Sequence, residues 1–239
     1  MRIIVTRPAP DAEAFAALAR TAGFEPVLSP VMAIDFGKAP PSLKGVGALA
    51  FTSANGVRAF CGLSGDRSLP VFAVGAMTAE EARRDGFENV IAAGGDVASL
   101  TEAIAAAPTS GDVLHIAGAE RAGDLVAALE TRGVGARRAV LYEAVPVTSL
   151  ADEAVASLAG EPAAEAAALF SPRSASLFIA LVRQAGLEAR LADVVAACLS
   201  EAVADAVRGV QWKSVVIAGE RNSESLLAAL ANEITTSRG

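Results

Sequence analysis

The chain contains few of the side chains that most enzymes use for catalysis. Among its 239 residues are one histidine, two cysteines, one tyrosine and one tryptophan. His115 and the distant Cys61 and Cys198 are too few to build a zinc or iron site. A histidine-based triad is excluded in the same way, and no G-x-S-x-G sequence holds a nucleophilic serine. Both cysteines lie in apolar stretches and are expected to be buried thiols of a reducing compartment.

Nucleotide motifs, basic runs and long apolar runs are missing as well. There is no phosphate-binding G-x-x-x-x-G-K-[ST] motif, and the glycines lack the G-x-G-x-x-G spacing of a dinucleotide site. A net charge of −7 argues against binding to nucleic acid. No apolar run approaches the roughly 20 residues that cross a bilayer, and "MRIIVTRP" begins a strand with no room for a secretory signal. We expect a cytoplasmic protein with neither nucleic acid nor a membrane as partner.

Short apolar runs that end in Gly, Ser, Thr or Pro alternate with Ala- and Leu-rich segments of helical period. This alternation is typical of parallel βα units. In the first helix, Pro8, Pro10 and Asp11 favour the start and Gly23 the end, and the spacing predicts that Phe15, Leu18, Ala19 and Ala22 share its buried face. Strands are predicted near 2–6, 46–52, 70–74, 88–92, 112–117, 137–141, 166–170, 193–197 and 214–218.

One α/β unit is used twice. "FTSANGVRAF" at 51–60 returns as "LFSPRSASLF" at 169–178. In the same order, "AVGAMTAEEA" at 73–82 pairs with "CLSEAVADAV" at 198–207, and "DVASLTEAI" at 96–104 with "NSESLLAAL" at 222–230. A repeat this long indicates two equivalent α/β modules, because solenoid repeats span only about 20–50 residues.

The two modules are not consecutive in the sequence. The segments 28–44 and 142–148 both have an extended, proline-containing character, which predicts a paired linker that leaves one domain and returns to it. We therefore predict a discontinuous first domain, residues 1–34 plus 149–239, and a second domain, residues 35–148.

The repeated feature is a strand that ends in Ser, Thr, Asn or Gly just before a helix. The first N–H groups of such a helix lack internal partners and lie at the positive end of its dipole, so a carboxylate can bind there. Taken singly, each of these residues reads as an ordinary N-cap. In a parallel sheet, however, all the strand ends lie on one edge, where open α/β sheets bind ligands. Two modules facing each other across a hinge would line a cleft with donors.

Four arginines lie at or just inside these turns. Arg58 falls within a helix, where an exposed, solvated side chain is the simpler interpretation. Arg7, Arg121 and Arg173 are better placed to bind carboxylates in a forked arrangement. The predicted cleft therefore suits a polyanion even though the chain as a whole is acidic.

The order and spacing of several motifs resemble the uroporphyrinogen-III synthase family over essentially the whole chain. The motifs are "VTRP" at 5–8, "FTSANGVRAF" at 51–60, "VGAMTA" at 74–79, "LYEAVP" at 141–146 and "FSPRSA" at 170–175. The resemblance implies two flavodoxin-like parallel-sheet domains joined by a two-stranded antiparallel linker. It also implies the reaction, which cyclises hydroxymethylbilane, a linear tetrapyrrole, to uroporphyrinogen III with inversion of ring D. No cofactor is implied, and a monomer is expected.

The resemblance also implies roles for single residues. Tyr142, the only tyrosine, matches the family tyrosine suspected of helping the substrate hydroxyl to leave; a tyrosine that merely packs at the hinge is the alternative. Val203 stands opposite Thr78 in the second copy and cannot make the hydrogen bond of the family pattern, although Ser200 can still cap its helix. His115 is expected to be structural or to lie at the edge of the cleft. The predicted substrate-binding residues are Arg7, Thr52, Ser53, Thr78, Gly118, Arg121, Ser171, Arg173 and Ser200.

Two other functions remain open on the residues alone. A non-catalytic two-lobed module that binds an anionic small molecule would present the same cleft. A flavodoxin-like electron carrier would need aromatic residues beside its flavin, and the chain has one Trp and one Tyr.

Overall fold

The chain divides into two compact units. The computed structural model describes residues 1–107, 109–120, 123–160 and 162–237. The discontinuous unit contains Met1–Ala33 and Val145–Gly239, and the continuous unit is Ile34–Ala144. Within the described residues, we find no helix with the length and apolar character needed to cross a membrane.

Strands and helices alternate along most of the chain. A 3₁₀ turn at Glu188–Asp193 precedes the tenth strand. In chain order the elements are β1 (Arg2–Val5), α1 (Asp11–Thr21), β2 (Glu25–Leu28), β3 (Met32–Phe36), β4 (Val46–Phe51), α2 (Ala54–Leu63), β5 (Val71–Ala73), α3 (Ala76–Arg84), β6 (Val90–Ala92), α4 (Val97–Ala105), β7 (Asp112–Gly118), α5 (Leu125–Glu130), β8 (Ala136–Pro146), α6 (Asp152–Ala159), β9 (Ala164–Leu169), α7 (Pro172–Gln184), β10 (Val195–Cys198), α8 (Glu201–Val207), β11 (Ser214–Ile217) and α9 (Ser223–Ser237).

The two sheets have corresponding strand orders. In the discontinuous unit the order is β11-β10-β9-β1-β2, and all four pairs are parallel. Read along its own chain, this order is 2-1-3-4-5, as in flavodoxin. In the other sheet the order is β3-β8-β7-β4-β5-β6, with parallel pairs from β8 to β6. The predicted α/β fold with parallel sheets is confirmed.

The internal duplication follows the same strand correspondence. Strands β6, β5, β4, β7 and β8 take the places of β11, β10, β9, β1 and β2. The registers also match, since Phe51 pairs with Ala73 in one copy and Leu169 with Cys198 in the other. The copies differ in where their chains begin, because β7 and β8 end one module while β1 and β2 begin the other. The modules are therefore circular permutations of one arrangement.

The central strands β4, β5 and β7 of the continuous unit are buried on both faces. Leu49, Phe51 and Ile116 pack on the side of the sheet that carries α2 and α3. Ala48, Ala50 and Val113 face the opposite side, with α4 and α5. Helices on both faces explain why these strands read as continuous apolar runs. Since side chains alternate along a strand, His115 shares the α4/α5 side with Val113.

The predicted face of α1 is wrong at two of its four positions. Phe15 and Ala19 are buried as predicted, together with Ala12 and Ala16. Leu18, however, is 37% exposed, and Ala22 is exposed. Both stripes have helical spacing, and the observed stripe sets the Phe15 ring edge-on against Phe170, with ring centroids 5.0 Å apart. The small side chains of Ala12, Ala16 and Ala19 allow α1 to pack closely on this side, which explains why this stripe is the buried one.

Two extended segments differ from the strand prediction. No strand was predicted at β2, Glu25–Leu28, which pairs with β1 at the edge of its sheet. Strand β8 runs without a break over Ala136–Pro146, whereas the prediction ended a strand at 141. The chain passes between the units within β3 and within β8, which are neighbours in the six-stranded sheet.

Candidate functional site

A cavity opens where the strand order of the continuous unit reverses. From β4 the chain continues to β5 and β6 on one side, while β7 lies on the other side of β4 and continues to β8. Connections that diverge in this way leave a crevice at the carboxyl ends of the two strands, where α/β sheets bind ligands. The cavity here has a volume of about 460 Å³. Its polar lining comes from Thr52, Ser53, Asp96, His115, Glu120, Arg138 and Tyr142.

The end of β4 supplies two hydroxyl groups to this cavity. Ser53 is the N-cap of α2, and its Oγ accepts a hydrogen bond of 3.2 Å from the N–H of Asn55. Thr52 Oγ1 lies 3.1 Å from His115 Nε2. The two neighbours therefore differ, because Ser53 satisfies the backbone of the helix while Thr52 is held by a side chain on β7.

His115 is buried beneath the cavity and only 6% exposed. Burial lowers the pKa of its imidazole to about 4; the charge of Arg138 lowers it further and that of Asp124 opposes the shift. The ring is therefore neutral near pH 7. Its Nδ1 is buried and has no hydrogen-bond partner among the described residues. Reasoning from the sequence left His115 either as a structural residue or at the edge of a cleft, and the structure places it in the lining of this cavity.

Arg138 holds the end of β7 and the residue that follows it. It lies opposite His115 in the β7/β8 register. Its Nη2 donates to the carbonyl oxygen of Gly118 and, over 3.3 Å, to that of Ala119. We did not predict Arg138 as a site residue, because its contacts arise from the pairing of β8 with β7 and no local pattern in the sequence marks it.

Tyr142 lies against Gly118. The β7/β8 register shifts here, so that Ala117 pairs with Val140 but Gly118 pairs with Tyr142. Such a bulge redirects side chains near a site. A Cβ built on Gly118 would lie 2.8 Å from Tyr142 Cε2, a distance that real Cβ atoms do not adopt. The Tyr142 hydroxyl has no hydrogen bond to the described part of the chain, which leaves the phenol available to a ligand.

The helix starts around the cavity differ in what they offer to an anion. At α4, Asp96 accepts the N–H of Ser99 at 2.8 Å and completes a capping box. The hydrogen bonds from Ser99 lower the pKa of Asp96, so a carboxylate already occupies that helix start. At α3 the N-cap is Gly75, without a side-chain cap from the described residues. Thr78 lies in the first turn of α3 and is 6% exposed.

The discontinuous unit has its own point of reversal, between β1 and β9. Thr6 Oγ1 donates to the Ala168 carbonyl across these strands at 2.7 Å. The guanidinium of Arg7 lies 4.6 Å above the Phe170 ring and 3.6 Å from Asp11 Oδ2.

After β9, Ser171 caps α7 by accepting the N–H of Ser174 at 3.1 Å. Arg7, Ser171 and the following Arg173 thus belong to the strand ends where this sheet reverses.

Two further predicted residues have a different outcome. Ser200 is the N-cap of α8, but its side chain makes no capping bond to any residue that the structure describes. Val203 is buried in the core beside α7, which accounts for an apolar residue at that position.

Arg121 lies outside the described residues. Of the predicted site residues, Thr52, Ser53, Gly118 and Tyr142 line one cavity, and Thr78 is not part of its lining.

Arg58 makes more contacts with neighbouring side chains than predicted. Its Nε lies 2.7 Å from Glu81 Oε1 and its Nη1 donates to Asn55 Oδ1 over 2.9 Å. The expectation of a solvated arginine is wrong, because these contacts hold α2 against α3.

Comparison with known proteins gives a consistent result. A family model described as HEM4, uroporphyrinogen-III synthase HemD, matches residues 13–228. Among solved structures, uroporphyrinogen-III synthetase from Helicobacter pylori superposes with a TM-score of 0.65 at 18% identity, covering 98% of this chain and 100% of that one. A mutant uroporphyrinogen III synthase from the thermophile Thermus thermophilus gives a TM-score of 0.53 at 22% identity, covering 99% of both chains. At these identities the structures establish likeness of fold. A search of curated proteins found no significant match.

Proposed function

Because the chain belongs to the uroporphyrinogen-III synthase family, we propose that the cavity at the β4/β7 reversal binds the reacting end of its substrate. The enzyme is a cyclising lyase of porphyrin biosynthesis. It closes linear hydroxymethylbilane to uroporphyrinogen III and inverts ring D.

The chemistry demands positioning more than acid or base strength. The terminal hydroxyl of the substrate leaves readily, because the pyrrole nitrogen pushes it out to give an azafulvene. Without guidance the free end closes to the symmetrical isomer I. The enzyme must direct attack to the substituted carbon of ring D, through a spiro intermediate that reopens and recloses. This is a problem of orientation, which a preformed cavity can solve.

We assign to Tyr142 the donation of a hydrogen bond or proton to the departing hydroxyl. Support comes from its hydroxyl, which has no partner among the described residues, and from its ring, which is held against Gly118. A phenol hydroxyl can donate a hydrogen bond to an oxygen leaving group, which is sufficient help for an easy departure. This contact between Tyr142 and Gly118 is the observation that carries the proposal.

The hydroxyls of Thr52 and Ser53 and the guanidinium of Arg138 would hold an acidic side chain of the substrate. All three residues line the cavity, and charged acceptors form stronger hydrogen bonds than neutral ones. Asp96 and Glu120 line it as well. Their carboxyl groups disfavour a second anion beside them, so the acidic group of the substrate belongs on the Thr52 side. Thr78, at the uncapped start of α3, would bind a further carboxylate.

In the discontinuous unit, Arg7, Ser171, Arg173 and Ser200 would bind carboxylate groups. Their position at strand ends supports this role, since helix starts and arginines both suit carboxylates. Arg121 would act in the same way. We further propose that the protein is cytoplasmic, is a monomer and needs no nucleic acid. Sedimentation at several protein concentrations would test whether it is a monomer.

The decisive experiment is to incubate the purified chain with freshly generated hydroxymethylbilane and to separate the product isomers. We expect isomer III at a rate well above spontaneous closure. Tyr142→Phe should slow its formation, while Leu18→Ala, on the exposed side of α1, should not. Production of isomer I alone, at the spontaneous rate, would overturn the proposal.

A further inference from the structure

The contact between His115 and Thr52 has a direction that affects what the cavity can bind. His115 is the only histidine in the chain, and its Nε2 lies 3.1 Å from Thr52 Oγ1. Both residues line the cavity. A hydrogen bond at this distance can run either way, because a hydroxyl and a neutral imidazole can each donate or accept.

The two directions give Thr52 opposite properties. If Nε2 accepts, the Thr52 hydrogen is consumed by the ring, and oxygen lone pairs remain to face a ligand. If Nε2 carries the hydrogen and donates, the Thr52 hydroxyl hydrogen is free. An anionic group is repelled in the first case and bound in the second.

The surroundings of the ring favour the second arrangement. Nδ1 is buried without a partner among the described residues, and an orphaned buried N–H is rarer in proteins than an orphaned acceptor. The charge of Arg138, opposite His115 in the strand register, helps to keep the ring neutral, so that only one of its two nitrogens carries a hydrogen. Asp124 acts in the opposite sense. The carboxyl groups that line the cavity itself are those of Asp96 and Glu120.

We propose that His115 is a positioning residue: in its Nε2–H form it donates to Thr52 Oγ1, so that the Thr52 hydroxyl donates to a carboxylate bound in the cavity. The identity of that carboxylate as a group of the tetrapyrrole substrate rests on the proposed function. The hydrogen-bond direction itself does not.

The direction can be read by NMR in protein labelled with ¹⁵N in histidine. Because the chain has a single histidine, long-range ¹H–¹⁵N spectra near neutral pH will show one imidazole without ambiguity. We expect a protonated Nε2 and an unprotonated Nδ1. A protonated Nδ1 would overturn the proposal whether or not the protein is active.

The effect on binding is tested with two near-isosteric variants. In His115→Gln the amide nitrogen replaces Nε2 and can still donate to Thr52, whereas in His115→Asn it replaces Nδ1 and cannot. The probe is uroporphyrin III, a stable tetrapyrrole that carries the acidic groups of the product. We expect Thr52→Val and His115→Asn each to raise its Kd about tenfold, and His115→Gln to restore most of the affinity.

A double-mutant cycle separates positioning from packing. If His115 acts through Thr52, adding His115→Asn to Thr52→Val should change the Kd no further, and unfolding temperatures will show how much each change disturbs the fold. An equal loss in both backgrounds would overturn the proposal. A cycle that succeeds in a protein yielding only isomer I would uphold the positioning role while refuting the proposed function.

Discussion

The ring of Tyr142 occupies the space that a side chain at residue 118 would need. A Cβ on Gly118 would lie 2.8 Å from Cε2, 2.9 Å from Cζ and 3.2 Å from the hydroxyl oxygen of Tyr142. The bulge at this point of β7 and β8 brings the two residues opposite each other. The location of the phenol therefore depends on a glycine 24 positions earlier in the chain.

Replacing Gly118 with alanine should displace the phenol and lower turnover about tenfold or more, because a shift of about 1 Å at a reacting group is costly. Product isomers and initial rates measure the effect. Gly62→Ala is the matched control. It lies in α2, and a Cβ there meets no described atom within 4 Å apart from the adjoining backbone of its own helix and its chain neighbours, so we expect wild-type activity and about 0.5 kcal/mol or more of added stability. Normal turnover in Gly118→Ala would show that the ring position does not matter.

Removing only the hydroxyl, by Tyr142→Phe, should have a modest effect. The ring keeps its packing against Gly118, and the leaving group departs easily without help. We expect kcat to fall several-fold to about tenfold, which is at most about 1.4 kcal/mol, with little change in KM. A loss of many orders of magnitude would contradict the view that positioning dominates the reaction.

Ser171 allows capping to be separated from binding. Asp caps a helix as well as Ser does, whereas Ala costs about 1 kcal/mol at this position. Ser171→Asp should therefore unfold at or above the wild-type temperature but raise KM about tenfold or more, because it places a negative charge where we expect a substrate carboxylate. Ser171→Ala should unfold at a lower temperature than the wild type, while its KM rises much less than that of the aspartate variant. Unchanged KM in the aspartate variant would leave Ser171 as a cap only.

Acid should destabilise the protein in part through His115. The pKa of its imidazole is about 4 in the folded chain, against an ordinary value of 6.5 for an exposed histidine, so between these values the unfolded chain binds a proton that the folded chain does not. Stability therefore rises with pH over this window. Above pH 6.5 the imidazole is neutral in both states and does not affect the free energy of unfolding. As the pH falls to 4, the free energy of unfolding decreases by about 3 kcal/mol.

Urea unfolding of the wild type and of His115→Gln, from about pH 7 to about pH 4.5, measures this contribution, since glutamine does not titrate. The wild type should lose more stability than the variant. Parallel losses in the two proteins would show that burial does not hold the imidazole neutral.

Local pattern and repetition were sufficient to predict most of the fold. The strand ends after β4 and β9 could be matched because "TSANG" and "SPRSA" keep the same spacing to their helices, and the sheet topology follows from parallel βα units. The edge strand β2 escaped prediction because it has four residues and includes Pro26. Proline reads as a break in a sequence, yet it is tolerated at the edge of a sheet.

The site could be predicted only in part, because helix starts leave a signature in the sequence and contacts across strands do not. Thr52, Ser53 and Gly118 were found from the strand–turn–helix pattern. Arg138 and His115 are 23 positions apart, and only the register of β7 with β8 brings them side by side. A bulge that redirects Tyr142 likewise depends on the pairing of two strands.

The order in which the ribosome makes the chain conflicts with the order of strands in the discontinuous unit. Strand β1 lies between β2 and β9, but Ala164–Leu169 emerges only after the whole of Ile34–Ala144. During synthesis one edge of β1 therefore stays open while the intervening residues can already fold. An open edge can pair with the wrong strand. Nascent chains halted just before Ala164 should accordingly be the most prone to aggregate and the most dependent on chaperones.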